Sequence, residues 1–266
     1  MNYYKGKNVN IGNDVKIGFG VIIEDDVTIE NNVIIDSYTK ICNNVYIKKN
    51  TYIGSNCIIG EIGINYHTNH QRKKTIIGEK SLIRSYTVIY SENILGDFFE
   101  TGHRVTIRER SNIACNVRIG TLCDIQGDCE IGEYTRLHSN VHIGKLSNIG
   151  KYVWIFPYVI LTNDPTPPSD NLKGVTVEDY SVIATGSTIL PGITIATNAF
   201  VGANTLVSKN VLKGTVVVGN PQVNIGSIEK LNKNGINTYP WMYSFDKGMP
   251  WQGIEFDMWM KNNKNN

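Results

Sequence analysis

Ile11-Gly-Asn-Asp-Val-Lys-Ile17-Gly-Phe-Gly-Val-Ile-Ile23-Glu-Asp-Asp-Val-Thr-Ile29 decides the fold, because one residue type returns at every sixth place. The run continues through Ile35, Ile41, Ile47, Ile53 and Ile59. The same phase resumes at Ile77 and extends to Leu161, with Thr101 as its one slot that is not aliphatic. A phase-shifted series follows: Val177, Ile183, Ile189, Ile195, Val201 and Val207. Four residues after the aliphatic there is commonly a small or β-branched residue, such as Val15, Thr39, Ser81, Ser111, Val141, Ala199 and Thr205. Cys57, Cys123 and Cys129 stand in this second column, so packing accounts for them better than metal or redox chemistry.

A period of six matches neither a 3.6-residue helix nor a plain alternating strand. It matches short strands separated by corners, with one aliphatic per side pointing into a shared core. Gly, Asn and Asp, which tolerate left-handed backbone, often follow the aliphatics, as in Gly12-Asn-Asp14 and Asn43-Asn44. Three hexads make a triangular coil of 18 residues. The fold expected is an all-β solenoid of about ten coils, on the order of 50 Å long at a strand spacing of about 4.8 Å. Two insertions interrupt it, at 60–76 and 162–176; the first keeps the hexad phase and the second shifts it. Solenoid insertions tend to gather on one side and carry binding. The expected organisation is a solenoid domain over 1–222 and a tail over 223–266. The tail holds Trp241, Trp251 and Trp259, and is expected to be partly helical and packed on the prism or on a neighbouring subunit.

Composition narrows the function. Lys plus Arg number 26 against 24 acids, for a net charge of +2, and no basic run stands out, which argues against nucleic acid as a partner. Hydrophobic residues make up 41%, yet no apolar run approaches the roughly 18 residues of a membrane helix. The opening residues lack an apolar signal core, and the five cysteines form no CxxC pair, so a reduced, cytoplasmic setting is expected. Nucleotide-fold and serine-hydrolase motifs are absent.

Residues 18 apart should stack on one face. One outward column is then Val88, Thr106, Asp124, His142 and Ile160; a second is Tyr90, Arg108, Gln126, Gly144 and Thr162. Asp124 and His142 are expected to pair across adjacent coils. Gly102, Gly120, His138 and Phe156 fall on the neighbouring face, with His103 beside Gly102. Asn163 and Asp164 open the Pro-rich insertion. His67 and His70 lie in the first insertion, read as surface or as contacts to a ligand from a neighbouring subunit.

Val182-Ile-Ala-Thr-Gly-Ser-Thr-Ile-Leu-Pro-Gly-Ile-Thr-Ile-Ala196, Ala199-Phe-Val-Gly-Ala-Asn-Thr-Leu-Val-Ser-Lys-Asn-Val211 and Val218-Gly-Asn-Pro221 resemble the C-terminal signature of hexapeptide-repeat acyltransferases. Thr101-Gly-His-Arg-Val-Thr-Ile-Arg-Glu109, Asp124-Ile-Gln-Gly127, Arg136-Leu-His-Ser-Asn-Val-His-Ile-Gly144, the segment from Trp154 to Pro168, and Tyr239-Pro-Trp-Met-Tyr-Ser-Phe-Asp-Lys-Gly-Met-Pro-Trp251 resemble a narrower group. These are the N-acetyltransferases of dTDP-linked 3-amino-3,6-dideoxyhexoses. The resemblance implies a left-handed parallel β-helix, a homotrimer, and acetyl-CoA as co-substrate with no metal. It implies that Ala184, Gly186, Gly202 and Ala203 let pantetheine approach the backbone, that Lys209 and Lys213 meet its phosphates, and that Pro221 lies near adenine. Surface polysaccharide biosynthesis is the implied setting.

The expected reaction is direct attack of a sugar amine on the acetyl thioester. His138 is the expected base, with Asn163 and Asp164 holding the amino sugar and the Phe156 amide as oxyanion donor. His103, Arg108, Asp124, Gln126 and His142 are expected to bind substrate, Arg108 and Gln126 at the sugar or diphosphate. Alternatives are a 4-amino sugar, a UDP-amino sugar or a hydroxyl as acceptor, a mechanism without a protein base, a zinc site like that of γ-class carbonic anhydrases using His138 and His142, or a non-catalytic scaffold.

Overall fold

The computed structural model describes residues 2–63, 74–233 and 236–263. His67 and His70 lie outside the described residues. The chain winds as a parallel β-solenoid with three sheets of eleven, ten and twelve strands, the last strand of the third sheet being antiparallel. Strands are mostly two residues long, and each pairs with the strand three places on: Tyr4 with Ile22, Asn10 with Thr28, Lys16 with Ile34. The 18-residue coil read from the sequence is therefore the register of the sheets. The inward residue of each strand is the six-spaced aliphatic, and Ile23 to Ile59, Ile77 to Ile113 and Ile183 to Val207 are essentially inaccessible along one continuous core.

There are about eleven turns, one more than expected. The extra turn lies at the ends. Lys5 holds the first inward slot, where no aliphatic marks it. At the other end Val211 bridges Ile195 and Val217 pairs with Val201, at a spacing that departs from six. Thr101 is buried, and its hydroxyl accepts from the Arg84 amide at 3.0 Å, which is why a polar residue fits an inward slot. Phe99, fully buried, fills a slot that elsewhere holds small residues.

Both insertions leave a first-sheet strand and return to a second-sheet strand, so both project from one corner. Ile47 stacks on Ile77, 30 positions later (77 minus 47), so the first insertion adds twelve residues to an 18-residue coil. Ile149 stacks on Val177, so the second adds ten.

At most corners the third residue after the aliphatic adopts a positive φ near 60°. Asn and Asp hold many of these positions as expected, but Tyr38, Tyr86, Leu122, Tyr134, Tyr152 and Tyr180 hold others. A bulky residue pays a penalty there of about 1–3 kcal/mol. At the corner between the second and third sheets the penalty is offset by stacking. Tyr152 lies 5.4 Å from Tyr134 and 5.0 Å from Tyr180, nearly parallel to both.

The tail covers this tyrosine ladder. Val223–Ser227 pairs antiparallel with Thr215–Val218, and the chain then packs Trp241, Met242, Met249 and Trp251 against Tyr152 and Val182. The helix Phe256–Asn263 ends the described chain, with Phe256 and Trp259 against Trp251. No helix among the described residues is long and apolar enough to cross a membrane.

Candidate functional site

Two groups of polar residues stand on adjacent faces. On the first sheet, Thr106, Asp124, His142 and Ile160 are in register, as the 18-residue spacing requires. His142 Nδ1 lies 3.2 Å from Asp124 Oδ2, and Gln126 donates to the same oxygen. Burial pushes the Asp124 carboxyl up, but the His142 and Gln126 hydrogen bonds outweigh it and hold the acid below its ordinary value. Arg108 does not stand free for a phosphate: it donates twice to Glu109 at 3.0 Å and lies over Tyr90. His103 is exposed at the corner between the third and first sheets, where its amide donates to Thr121 Oγ1.

His138 sits at the same corner, one coil above Gly120 and one below Phe156. Its ring is stacked on Phe156 at 4.6 Å and 14°, and lies 6.2 Å from Trp154. Burial pushes the imidazole pKa down, and no carboxylate pairs with it among the described residues. A neutral imidazole with an unbonded nitrogen is the form that accepts a proton. The sheet ladder runs Gly102, Gly120, His138, Phe156, Ala184, Gly202, each amide bonded into the next coil. Small residues therefore flank the His138–Phe156 stack on both sides. Gly120 has a structural reason too, since a Cβ there would lie 2.5 Å from the His138 carbonyl carbon.

The Phe156 amide cannot serve as an oxyanion donor. It is committed to the Ile183 carbonyl at 2.9 Å, because a parallel ladder consumes the amide of every residue in this column. Asp164 is likewise occupied: it accepts from the Thr166 amide and from the amide and hydroxyl of Ser169, which lower its pKa and brace the Pro-rich loop. Asn163 packs over Gly144, next to the Arg108–Gln126 column, and its carbonyl accepts from Lys173.

Of the other expected donor contacts, Ala184 and Gly202 share the His138 column, while Gly186 sits at a corner with φ +73°. Ala203, Lys209, Lys213 and Pro221 are exposed near the end of the solenoid. Burial pushes the Cys57, Cys123 and Cys129 thiols up to about 11, as packing residues require. Among the described residues no group of three or more His, Cys, Asp or Glu is placed to hold a metal.

A cleft of about 430 Å³ opens on the third sheet beside His138, lined by Arg84, Glu100, Thr101, Gly102, Arg118, Gly120, Arg136, Trp154 and, from the tail, Phe245 and Lys247. The sequence reading did not single out Arg118, Arg136 or Lys247. The first two belong to an outward column Glu100, Arg118, Arg136, Trp154 that 18-residue spacing contains. Lys247 carried no such signal.

Residues 110–145 match the family model for the bacterial transferase hexapeptide (six repeats). The chain is similar to the bifunctional protein GlmU of Alkaliphilus oremlandii, 28% identical over 154 residues, covering 56% of this chain and 31% of that protein. It is similar to GlmU of Alkaliphilus metalliredigens, 26% identical over 153 residues, covering 57% and 32%. The chain thus spans about a third of the length of the curated relatives it matches. In fold it is similar to the UDP-N-acetylglucosamine acyltransferase of Arabidopsis, with a TM-score of 0.50 at 19% identity over 85% of this chain and 73% of that one. The hexapeptide-repeat transferase model thus matches one stretch of the solenoid, and the Arabidopsis structure shares its fold.

Proposed function

We propose that the protein transfers acetyl from acetyl-CoA to the amine of a dTDP-linked 3-amino-3,6-dideoxyhexose, as a cytoplasmic homotrimer with the left-handed coil of its family. The observation that carries this reading is the partly buried His138, stacked on Phe156 between small-residue runs on both sides. Ala184 and Gly202 offer the donor a path along the backbone from the C-terminal side, toward Lys209, Lys213 and Pro221. Gly102 and Gly120 open the cleft on the other side to an acceptor. The first-sheet group of His103, Asp124, Gln126 and His142, with Asn163, is read as lying toward the sugar.

In this reading the sugar nitrogen forms the new C–N bond with the acetyl carbonyl carbon. His138 takes the proton that nitrogen sheds, and the C–S bond breaks to release CoA. A positioned base contributes about 10²–10⁴ in rate. The test is mass spectrometry of dTDP-3-amino, dTDP-4-amino and UDP-amino sugars incubated with the protein and acetyl-CoA. Acetylation of the dTDP-3-amino sugar ahead of the others is expected. Acetylation of another acceptor only would move the specificity, and acetylation of none would overturn the reading.

A further inference from the structure

The third-sheet cleft carries positive charge that its own side chains do not balance. Arg84, Arg118, Arg136 and Lys247 line it against one carboxylate, Glu100, and that carboxylate is engaged with Arg118 at 3.1 Å. Arg136 is 9% exposed and, among the described residues, donates only to backbone carbonyls, those of Asn116, Thr135 and Gly248. No carboxylate lies within ion-pair distance of it among the described residues. Burial, with Arg118 nearby, pushes its pKa down to about 10. The arginines of the first sheet differ, since Arg108 is neutralised by Glu109 and Arg110 by Asp128. A buried, hydrogen-bonded guanidinium without a counter-ion, opening on a cleft, is a site for an anion.

Beside this cleft lies an aromatic hollow of about 200 Å³, walled by Trp154, Phe156, Tyr239, Trp241 and Phe245. Trp154 and Phe245 belong to both. Clustered cations next to an aromatic slot match a ligand with a diphosphate attached to a flat ring.

We propose that the diphosphate of the acceptor binds here, on Arg118, Arg136 and Lys247 rather than on Arg108, and that the tail segment from Phe245 to Lys247 is part of the acceptor site. This rests on the acetyl-transfer reading above. CoA carries a diphosphate as well, so the test separates the two sources. Binding of dTDP, inorganic pyrophosphate and CoA to the full chain is measured by calorimetry for the wild type, Lys247→Ala and Arg118→Gln. Lys247 is exposed, so its replacement leaves the fold intact. Each variant is expected to weaken dTDP about tenfold, with pyrophosphate competing against dTDP and CoA affinity unchanged. A wild type that does not bind dTDP, variants with unaltered dTDP affinity, or variants that weaken CoA instead would overturn the proposal. If dTDP binding depends on Lys247 and yet no amino sugar is acetylated, the diphosphate site stands and the acetyl-transfer reading falls.

Discussion

The imidazole of His138 lies almost parallel to the ring of Phe156, with centroids 4.6 Å apart and 14° between planes. The stack buries part of the imidazole, which pushes its pKa down, and it fixes the ring at the one point where the two small-residue runs meet. His138→Ala is expected to lower kcat about 10²–10⁴-fold with CoA affinity retained, as loss of a positioned base does. Steady-state kinetics with a separate CoA titration check it; an unchanged kcat means that the departing thiolate takes the proton unaided.

The same burial sets a pH dependence. Because desolvation lowers the His138 pKa, the neutral form persists below the ordinary imidazole range. The acid limb of kcat is therefore expected to have its midpoint below about 6.5 and to vanish in His138→Gln. A midpoint above the ordinary value would mean that the charged imidazole is stabilised, against the burial seen here.

Asp124→Asn probes the first-sheet pair. Both partners are more than a third exposed at the side chain, so their ion pair is worth about 0–1 kcal/mol, and equilibrium unfolding should shift by no more than that. The Asp124 pKa is held down in the folded state, so its small contribution is present above the unfolded carboxylate value and is lost as pH falls through the folded one. A raised KM for acceptor at unchanged CoA affinity is expected. An altered CoA affinity would move this cluster to the donor.

Register was legible in the sequence because the period of six is imposed by the core. Once Ile89, Ile107, Ile125 and Ile143 stack inward, the outward neighbours Asp124 and His142 have to meet. What escaped has physical causes. The outward column of Arg118 and Arg136 obeys the same arithmetic, but its importance comes from Arg136 having no carboxylate partner among the described residues, which only geometry reveals. Lys247 reaches the cleft through a tail that follows no period. Asp164 reads by position as a group that holds the amino sugar, yet its oxygens accept from loop donors. The Phe156 amide was spent by the ladder itself.

Gly120→Ala tests how closely the coils pack at the site. Its Cβ would lie 2.5 Å from the His138 carbonyl carbon and 2.5 Å from the Ser139 nitrogen, so the backbone must move. A loss of about 1–3 kcal/mol in chemical denaturation is expected, together with reduced transfer. Full activity and unchanged stability would show that the corner yields freely.

The thiols give a check on the core. Burial holds Cys57, Cys123 and Cys129 near 11, and Cys42 is buried, while Cys115 is partly exposed. One thiol in five is expected to react with a neutral disulfide reagent in the native protein, and all five after denaturation. Rapid native labelling of Cys123 or Cys129 would mean that the coils around His138 open.

The most direct measurement is a crystal structure of the protein with CoA and dTDP bound together. The CoA sulfur is expected beside the His138–Phe156 stack, pantetheine along Ala184 and Gly202, and the dTDP diphosphate in the third-sheet cleft. A CoA sulfur lying on the first sheet near His142, or far from both histidines, would contradict it.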